Sequence, residues 1–406
     1  TVGVSSSGSG VRGKDFAHHL EEHRYNFLVG VPCSLLQEVL AALATRPRLY
    51  VAAVREDAAV GCAAGAWLAG GRAAILIQNS GLGTSLNALA SLSLMYKLPC
   101  LLVVTWRGFQ GKDAPEHLLM GDITPRLLDL TGIPHRMLSG GSVDADLAWA
   151  TREAETRETP AALLLPPGVM AANDQLPRDQ QARSNTTPGD TRSPLLPSAP
   201  GQADVQAGAG SVPSATLAPA MSRYEALSVA IRCLGDEPVI HANGYICRES
   251  FAVADRPQNF YMIGSMGLAS SIGLGVALTQ PGRKTVIFDG DGNLLMNLGT
   301  LAMVGGLRPK NFVHLVFDNE VYGSTGDQPS LSQQVRLDRL AAAAGYPRVH
   351  AVADAAALEA ATRNALSTDG PVFILVKVTA EARVVPRIPY SPPAIRDRFR
   401  SALLAK

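Results

Sequence analysis

Two short motifs supply oxygen ligands at a spacing that a chain of alternating strands and helices can bring together. Gly290-Asp-Gly-Asn293 follows the apolar run Lys284–Phe288, and Phe317-Asp-Asn-Glu320 closes the next such run, Phe312–Asp318. Asp291 and Asn319 are 28 positions apart, one strand–helix–strand excursion. In an open α/β sheet both strand ends fall on the edge where ligands bind. A carboxylate, a side-chain amide and a loop carbonyl are hard oxygen donors, suited to Mg²⁺ that keeps its remaining positions for phosphate oxygens. The glycines beside Asp291 let the main chain approach a diphosphate, and a helix expected to begin near Leu294 offers its N-terminus to the anion. Gly290-Asp-Gly by itself reads more simply as a strand-end turn.

Two further pieces accompany it. Tyr261-Met-Ile-Gly-Ser-Met-Gly-Leu-Ala-Ser270 is a second Gly-rich loop that runs into a small-residue helix. Val54-Arg-Glu-Asp-Ala-Ala-Val60 places Glu56 just after a strand, at the start of an Ala/Gly-rich helix, where an acid also serves as a partner for the helix dipole.

The elements that must position these residues are legible as short β-rich runs separated by helix-length stretches. In the first half strands are expected at Tyr25–Val29, Tyr50–Ala53, Ala73–Gln78, Cys100–Thr105 and Ala162–Leu165, with helices at Ser34–Thr45, Asp57–Ala69 and Thr84–Met95. In the second half strands are expected at Val239–Ala242, Lys284–Phe288, Phe312–Asp318, Val349–Val352 and Phe373–Lys377. The helices there are Met266–Ala277, Leu295–Gly306, Leu337–Ala344 and Ala355–Ser367. This alternation predicts an α/β fold of two domains, each a parallel sheet with helices on both faces. The two halves are of similar size and show no obvious sequence repeat.

The boundaries follow from composition. Residues 1–12 are Ser/Gly-rich, without the apolar stretch of a signal peptide, and are expected to form a flexible tail. Residues 13–171 form the first domain and 222–406 the second. Between them 172–221, rich in Pro, Gly, Ser, Ala and Gln, reads as a flexible linker. With 406 residues, 47% of them hydrophobic, the chain has enough apolar material for two cores, and disorder throughout is excluded. A net charge of +1 argues against nucleic acid as a partner, and no apolar run is long enough to span a bilayer. Five cysteines, an odd count without a CxxC pair, suit free thiols in a reducing cytoplasm. Cys33 reads as a small buried residue and His241 as part of an apolar strand.

Together these pieces resemble the thiamine diphosphate-dependent enzymes, whose pyrimidine-binding domain carries a glutamate and whose diphosphate-binding domain carries GDG followed by an Asn-containing strand end. The resemblance implies that Glu56 hydrogen-bonds the aminopyrimidine ring and that Asp291, Asn319 and the Val321 carbonyl hold Mg²⁺. It also implies that the Gly264 carbonyl takes the exocyclic amine and that Met266 is the apolar wedge that bends the cofactor. Ser265, Gly290, Gly292, Asn293 and Tyr322 complete the expected cofactor contacts. Asp318 is a departure, since many members carry a first Asn there.

A closer resemblance covers nearly the whole chain outside the tail and linker. Gly30-Val-Pro-Cys-Ser-Leu-Leu36, Gln78-Asn-Ser-Gly-Leu-Gly83, Trp106 to His117, Met120-Gly-Asp-Ile-Thr-Pro125 and Gly323-Ser-Thr-Gly-Asp-Gln-Pro329 are similar to phosphonopyruvate and sulfopyruvate decarboxylases, which have no middle domain. The resemblance implies non-oxidative decarboxylation of 3-phosphonopyruvate to phosphonoacetaldehyde and CO₂, with sulfopyruvate to sulfoacetaldehyde as the alternative. A small anionic 2-oxo acid with a second anionic group calls for donors and positive charge in the first domain. Ser34, Asn79, Ser80, Gly81, Arg107, Lys112 and His117 are the candidates, although Lys112 reads as well as a solvated charge and Arg107 as a salt-bridge partner. Glu56 and Asp291 fall in different domains, so the cofactor is expected between them. In the resembled family that interface forms between subunits, so at least a homodimer is implied.

Overall fold

The computed structural model describes residues 10–46, 50–171, 217–381 and 383–405. In chain order the first half runs α1 (Gly13–Glu22), β1 (Phe27–Gly30), α2 (Gln37–Ala44), β2 (Tyr50–Ala52), α3 (Glu56–Leu68), β3 (Ala73–Gln78), α4 (Asn79–Ala88), β4 (Cys100–Thr105), α5 (Pro115–Thr131), β5 (His135–Met137), α6 (Val143–Arg157) and β6 (Pro160–Leu165). The second half runs α7 (Arg223–Arg232), β7 (Val239–His241), α8 (Tyr245–Val253), β8 (Asn259–Tyr261), α9 (Ala269–Thr279), β9 (Thr285–Gly290), α10 (Asp291–Met296), α11 (Thr300–Leu307), β10 (Phe312–Asp318), β11 (Val321–Tyr322), β12 (Gln328–Pro329), α12 (Leu337–Ala343), β13 (Arg348–Val352), α13 (Ala355–Ser367), β14 (Val372–Lys377) and α14 (Pro392–Leu404).

Most of the expected tail and linker lies outside the described residues. The ends that are described are tied down by main-chain bonds, which composition does not reveal. Val11 pairs with Met170 in a parallel bridge, and Ala220 donates to the Ala353 carbonyl at 2.9 Å.

Packing divides the described residues into two units, one falling within 1–52, 72–86 and 99–200, the other within 53–71, 87–98 and 201–406. The first holds a six-stranded parallel sheet in the order β2-β1-β3-β4-β6-β5. Its central strands are buried along nearly their whole length, which explains continuous apolar runs such as Cys100-Leu-Leu-Val-Val-Thr105. Phe16, Leu20, Leu43 and Leu147 from α1, α2 and α6 close part of this core.

The second unit holds a six-stranded parallel sheet in the order β13-β14-β10-β9-β7-β8. Read from β8, its strands follow the same sequence of positions as those of the first sheet, so the halves share a topology that the residues alone do not display. In both, the direction in which successive strands are added reverses beside the first strand, between β1 and β3 in one sheet and between β7 and β9 in the other. Such switch points open a crevice at the carboxyl ends of the strands.

Helix α3 follows β2 in the chain yet packs in the second unit, against α9. Gly61, Gly65 and Gly275 make this crossing possible. A β-carbon on Gly65 would overlap the Ile272 carbonyl oxygen, one on Gly275 the Cys62 carbonyl, and one on Gly61 the Ser271 hydroxyl. This contact explains the Ala/Gly richness of a helix buried almost all round.

Two helices differ from expectation. The stretch expected as Leu295–Gly306 is broken at Asn297–Gly299 into α10 and α11, with Gly299 seated against Val54. The helix expected near Leu294 begins at Asp291. Helix α4 starts at Asn79 and runs on as a π-helical turn, Leu89–Leu94, over the stretch expected as Thr84–Met95. All five cysteines are free thiols, and no helix among the described residues is long and apolar enough to cross a membrane.

Candidate active site

The crevice at the switch point of the second sheet is lined from three strand ends. Asn243, Gly244 and Tyr245 come from the end of β7, Gly290 to Asn293 from β9, and Asn319, Val321 and Tyr322 from β10, with Met266 facing the same space. The expected diphosphate and metal residues are thus brought together. The Asn243–Tyr245 turn was not expected; its signal was a glycine between a strand and a helix, the pattern also present at Gly290. Gly244, at φ +87°, adopts a backbone that favours glycine.

Asp291 is 4% exposed. Burial pushes its carboxyl up to about 6; hydrogen bonds from Ser330 and Ser332 oppose this, and the charge of Asp318 adds to it. The Ser332 hydroxyl lies 3.1 Å from Asp291 Oδ2 and 2.8 Å from Asp318 Oδ1, so its single hydrogen is shared between two carboxylates. Asn319 is buried beside them. Among the described residues no three His, Cys, Asp or Glu side chains form a metal cluster. A set built from Asp291, Asn319 and a main-chain carbonyl contains only one such residue. Gly292 is packed so closely on the Tyr322 ring that a side chain there would overlap it.

The loop carrying Gly264, Ser265 and Met266 is held at both ends. Tyr96, fully buried, donates to the Tyr261 carbonyl at 2.8 Å and accepts from Ile263 N–H at 2.9 Å. The Ser265 hydroxyl meets that of Ser91 at 2.7 Å, with Ser265 at φ +56°. Beyond Met266, Gly267 N–H donates to Asn293 Oδ1 at 2.6 Å, which joins this loop to the Gly290–Asn293 turn. Glu56 is the first residue of α3 and is half-buried, placed by the glycine-mediated packing of α3 on α9.

In the first unit the switch point gathers Cys33, Gln78 and Thr105. Cys33 Sγ lies 3.4 Å from Gln78 Oε1 and 3.2 Å from Thr105 Oγ1, and its side chain is buried as expected. Asn79 is 1% exposed, and its amide hydrogens go to the Arg107 carbonyl at 2.9 Å and Thr124 Oγ1 at 3.0 Å. Its side chain therefore pins the loop after β4. Arg107 directs Nε and Nη2 to Asp113 at 2.7 and 2.6 Å, leaving Nη1 toward Ser34 at 3.5 Å. This fork, with the Gly108 and Ala114 N–H groups, holds the Asp113 carboxyl well below the usual carboxylate range. The salt-bridge reading of Arg107 thus describes its geometry. Lys112 and Ser80 are exposed, Gly81 is buried in the first turn of α4, and the His117 carbonyl packs on Gly108. His241 is buried in the core of the second unit between Tyr261 and Phe288.

Residues 12–125 match the thiamine pyrophosphate enzyme N-terminal TPP binding domain, and residues 245–376 match the C-terminal TPP binding domain. The chain belongs to the thiamine pyrophosphate enzymes. It is 39% identical over 388 residues to a phosphonopyruvate decarboxylase of Streptomyces viridochromogenes, covering 92% of this chain and 90% of that one. It is 32% identical over 379 residues to a sulfopyruvate decarboxylase of Methanosarcina acetivorans, covering 93% of each. Within the thiamine pyrophosphate enzymes its place is with these decarboxylases, a group of carboxy-lyases. The crystal structure of benzoylformate decarboxylase from Polynucleobacter necessarius shares the fold, with a TM-score of 0.67 over 92% of this chain and all of that one at 14% identity.

Proposed function

We propose that the protein decarboxylates 3-phosphonopyruvate to phosphonoacetaldehyde and CO₂, using thiamine diphosphate and Mg²⁺. The observation that carries the substrate is the 39% identity to a phosphonopyruvate decarboxylase sustained over nine-tenths of both chains. Sulfopyruvate is the second reading, favoured by the sulfopyruvate decarboxylase that matches over 93% of both chains at 32% identity.

The residues present fit the cofactor and its metal. Asp291, the Asn319 side-chain oxygen and the Val321 carbonyl are hard donors on one crevice, and a divalent cation compensates the charge of a carboxylate that burial disfavours. Gly290, Gly292 and Asn293 offer main chain and amide to the diphosphate, and Tyr322 packs beside them. When bound, thiamine diphosphate supplies the electron sink that a 2-oxo acid lacks. Glu56 would hold a proton between its carboxylate and the pyrimidine ring nitrogen, the Gly264 carbonyl would accept from the exocyclic amine, and Met266 would pack as the wedge. The Ser265 main chain, fixed through Ser91, keeps Gly264 and Met266 in place.

The second anion of the substrate is received in the first unit. Ser80 and Gly81 lie in the first turn of α4, whose N–H groups have no intrahelical acceptor. Ser34, the free edge of Arg107, Lys112 and His117 add hydroxyl and positive charge, while Asn79 orients Arg107. The working molecule is at least a homodimer; full activity in a species that sediments as a monomer would remove that part of the reading.

The test is product formation by the purified protein with thiamine diphosphate and Mg²⁺, offered 3-phosphonopyruvate and sulfopyruvate separately. A higher kcat/KM for 3-phosphonopyruvate is expected. The opposite preference replaces the first reading with the second, and turnover of neither removes both.

A further inference from the structure

Thr285 opens β9 and Asp318 closes β10; between those ends the polar side chains are Asp289 and His314, both completely buried. In the parallel register His314 pairs with Ile287 and Val316 with Asp289, so the two polar side chains are diagonal neighbours on one face of the sheet. His314 Nε2 lies 2.9 Å from Asp289 Oδ2, and its Nδ1 lies 3.3 Å from the hydroxyl of the buried Tyr346. Since a carboxylate accepts, Nε2 donates to Asp289, and Nδ1 faces the Tyr346 hydroxyl, which can act as donor or acceptor.

The other oxygen of Asp289 turns toward the crevice. Oδ1 accepts from Gly290 N–H at 2.8 Å and from Asn293 Nδ2 at 2.5 Å. Asn293 then accepts from Gly267 N–H at 2.6 Å through its own oxygen. The chain of bonds runs without interruption from Tyr346 through His314, Asp289 and Asn293 to the main chain beside Met266. Asn293 can satisfy both neighbours only in one amide orientation, donating to Asp289 and accepting from Gly267. Fully satisfied buried networks of this kind select one conformation.

We propose that His314 is a positioning residue for the cofactor crevice, acting through Asp289 and Asn293 to fix two separate loops in register. One is the turn that presents Asp291, the other the loop that presents Met266. His314 itself lines no part of the crevice. The inference rests on the reading of that crevice as the thiamine diphosphate site.

The test uses the full-length protein with His314→Gln and His314→Asn. Glutamine places its amide nitrogen where Nε2 stands and keeps the donor to Asp289; asparagine is too short to reach it. The readouts are the dissociation constant for thiamine diphosphate at saturating Mg²⁺ and the thermal midpoint of the cofactor-free protein. Expected is a rise in dissociation constant of roughly tenfold for H314N, equivalent to one broken hydrogen bond of charged character, with H314Q within about threefold of wild type. A purely structural histidine would instead lower both midpoints and leave the affinity of the folded fraction unchanged. The proposal is overturned if H314N binds as wild type does, or if H314Q loses as much as H314N. Should H314N not fold, Tyr346→Phe, which keeps the ring packing, is read in the same way: weaker binding supports the relay and unchanged binding overturns it. Wild-type protein that binds no thiamine diphosphate would instead remove the cofactor reading on which the relay depends.

Discussion

Asp318 and Lys377 are register partners on the adjacent parallel strands β10 and β14, and Lys377 Nζ lies 2.8 Å from Asp318 Oδ2. The same ammonium group bonds the Glu320 carboxylate, so one lysine ties the two residues that flank Asn319. Burial pulls the Lys377 ammonium down, yet the bonds to Asp318 and Glu320 outweigh it and hold the group above its ordinary value. The acid at 318, a departure from the family's usual asparagine, thus has a matching cation on the next strand.

Lys377→Met leaves Asp318, only 2% exposed, without its cation. Breaking a buried pair from one side costs about 3 kcal/mol, and removing both charges returns most of it. Denaturant unfolding of K377M is expected to show that loss and of D318N/K377M to recover it; strictly additive effects would contradict the pairing.

Glu56→Gln keeps the size and burial of the side chain and removes its acid–base chemistry. Decarboxylation is expected to fall by about 10²–10⁴-fold. Thiamine diphosphate binding, measured by quenching of intrinsic fluorescence, should stay within about tenfold. Undiminished turnover would take Glu56 out of the mechanism.

Gly65→Ala sets helix propensity against packing. Alanine stabilises an open helix by about 1 kcal/mol over glycine. At this crossing, however, its methyl group meets the Ile272 main chain, where overpacking costs about 1–3 kcal/mol. The thermal midpoint is expected to fall. Gly306→Ala, in α11 with no atom beyond the helix's own backbone within 4 Å of the added carbon, is the control and should leave it unchanged or higher.

His241 sets a pH dependence. Burial lowers its imidazole from the ordinary 6.5 to about 3, so the folded protein keeps it neutral while the unfolded chain takes up a proton below 6.5. The unfolded state binds more protons there, and stability therefore falls as pH drops from 6.5 toward 3. Between pH 7.5 and 5.5 this residue should account for about 1.4 kcal/mol of lost stability. His241→Phe should reduce the wild-type difference between those two pH values by that amount in urea titrations, and an identical difference would rule the residue out.

Central parallel strands were legible because burial on both faces makes them continuous apolar runs. Phe312–Asp318 begins and ends where its composition does. The edge strands His135–Met137 and Asn259–Tyr261 were not legible, since neither His135-Arg-Met137 nor Asn259-Phe-Tyr261 contains an aliphatic run. At the site, Asp291 and Asn319 were readable from local motifs, whereas their supports were not. Ser332 reaches Asp291 across 41 positions, Lys377 reaches Asp318 across 59, and His314 reaches Asp289 across 25. The last two pairings are set by strand register and the first by the turn after β12, neither of which a linear motif encodes. Asp113 was missed as the partner of Arg107 for a different reason: its neighbourhood reads as a charged loop, and only the turn at Gly108 folds it back.

The assignment of residues 53–71 and 87–98 to the same packing unit as 201–406 bears on what happens if the chain is divided. A break anywhere between residues 172 and 216 yields two polypeptides that each own part of one hydrophobic interior, with α3 on the first and α9 on the second. Expressed alone, the later piece would lack the helix that covers α9 and would expose that face to water. Expressed together, the pieces carry a built-in means of mutual recognition and could be encoded as two genes without a covalent tether.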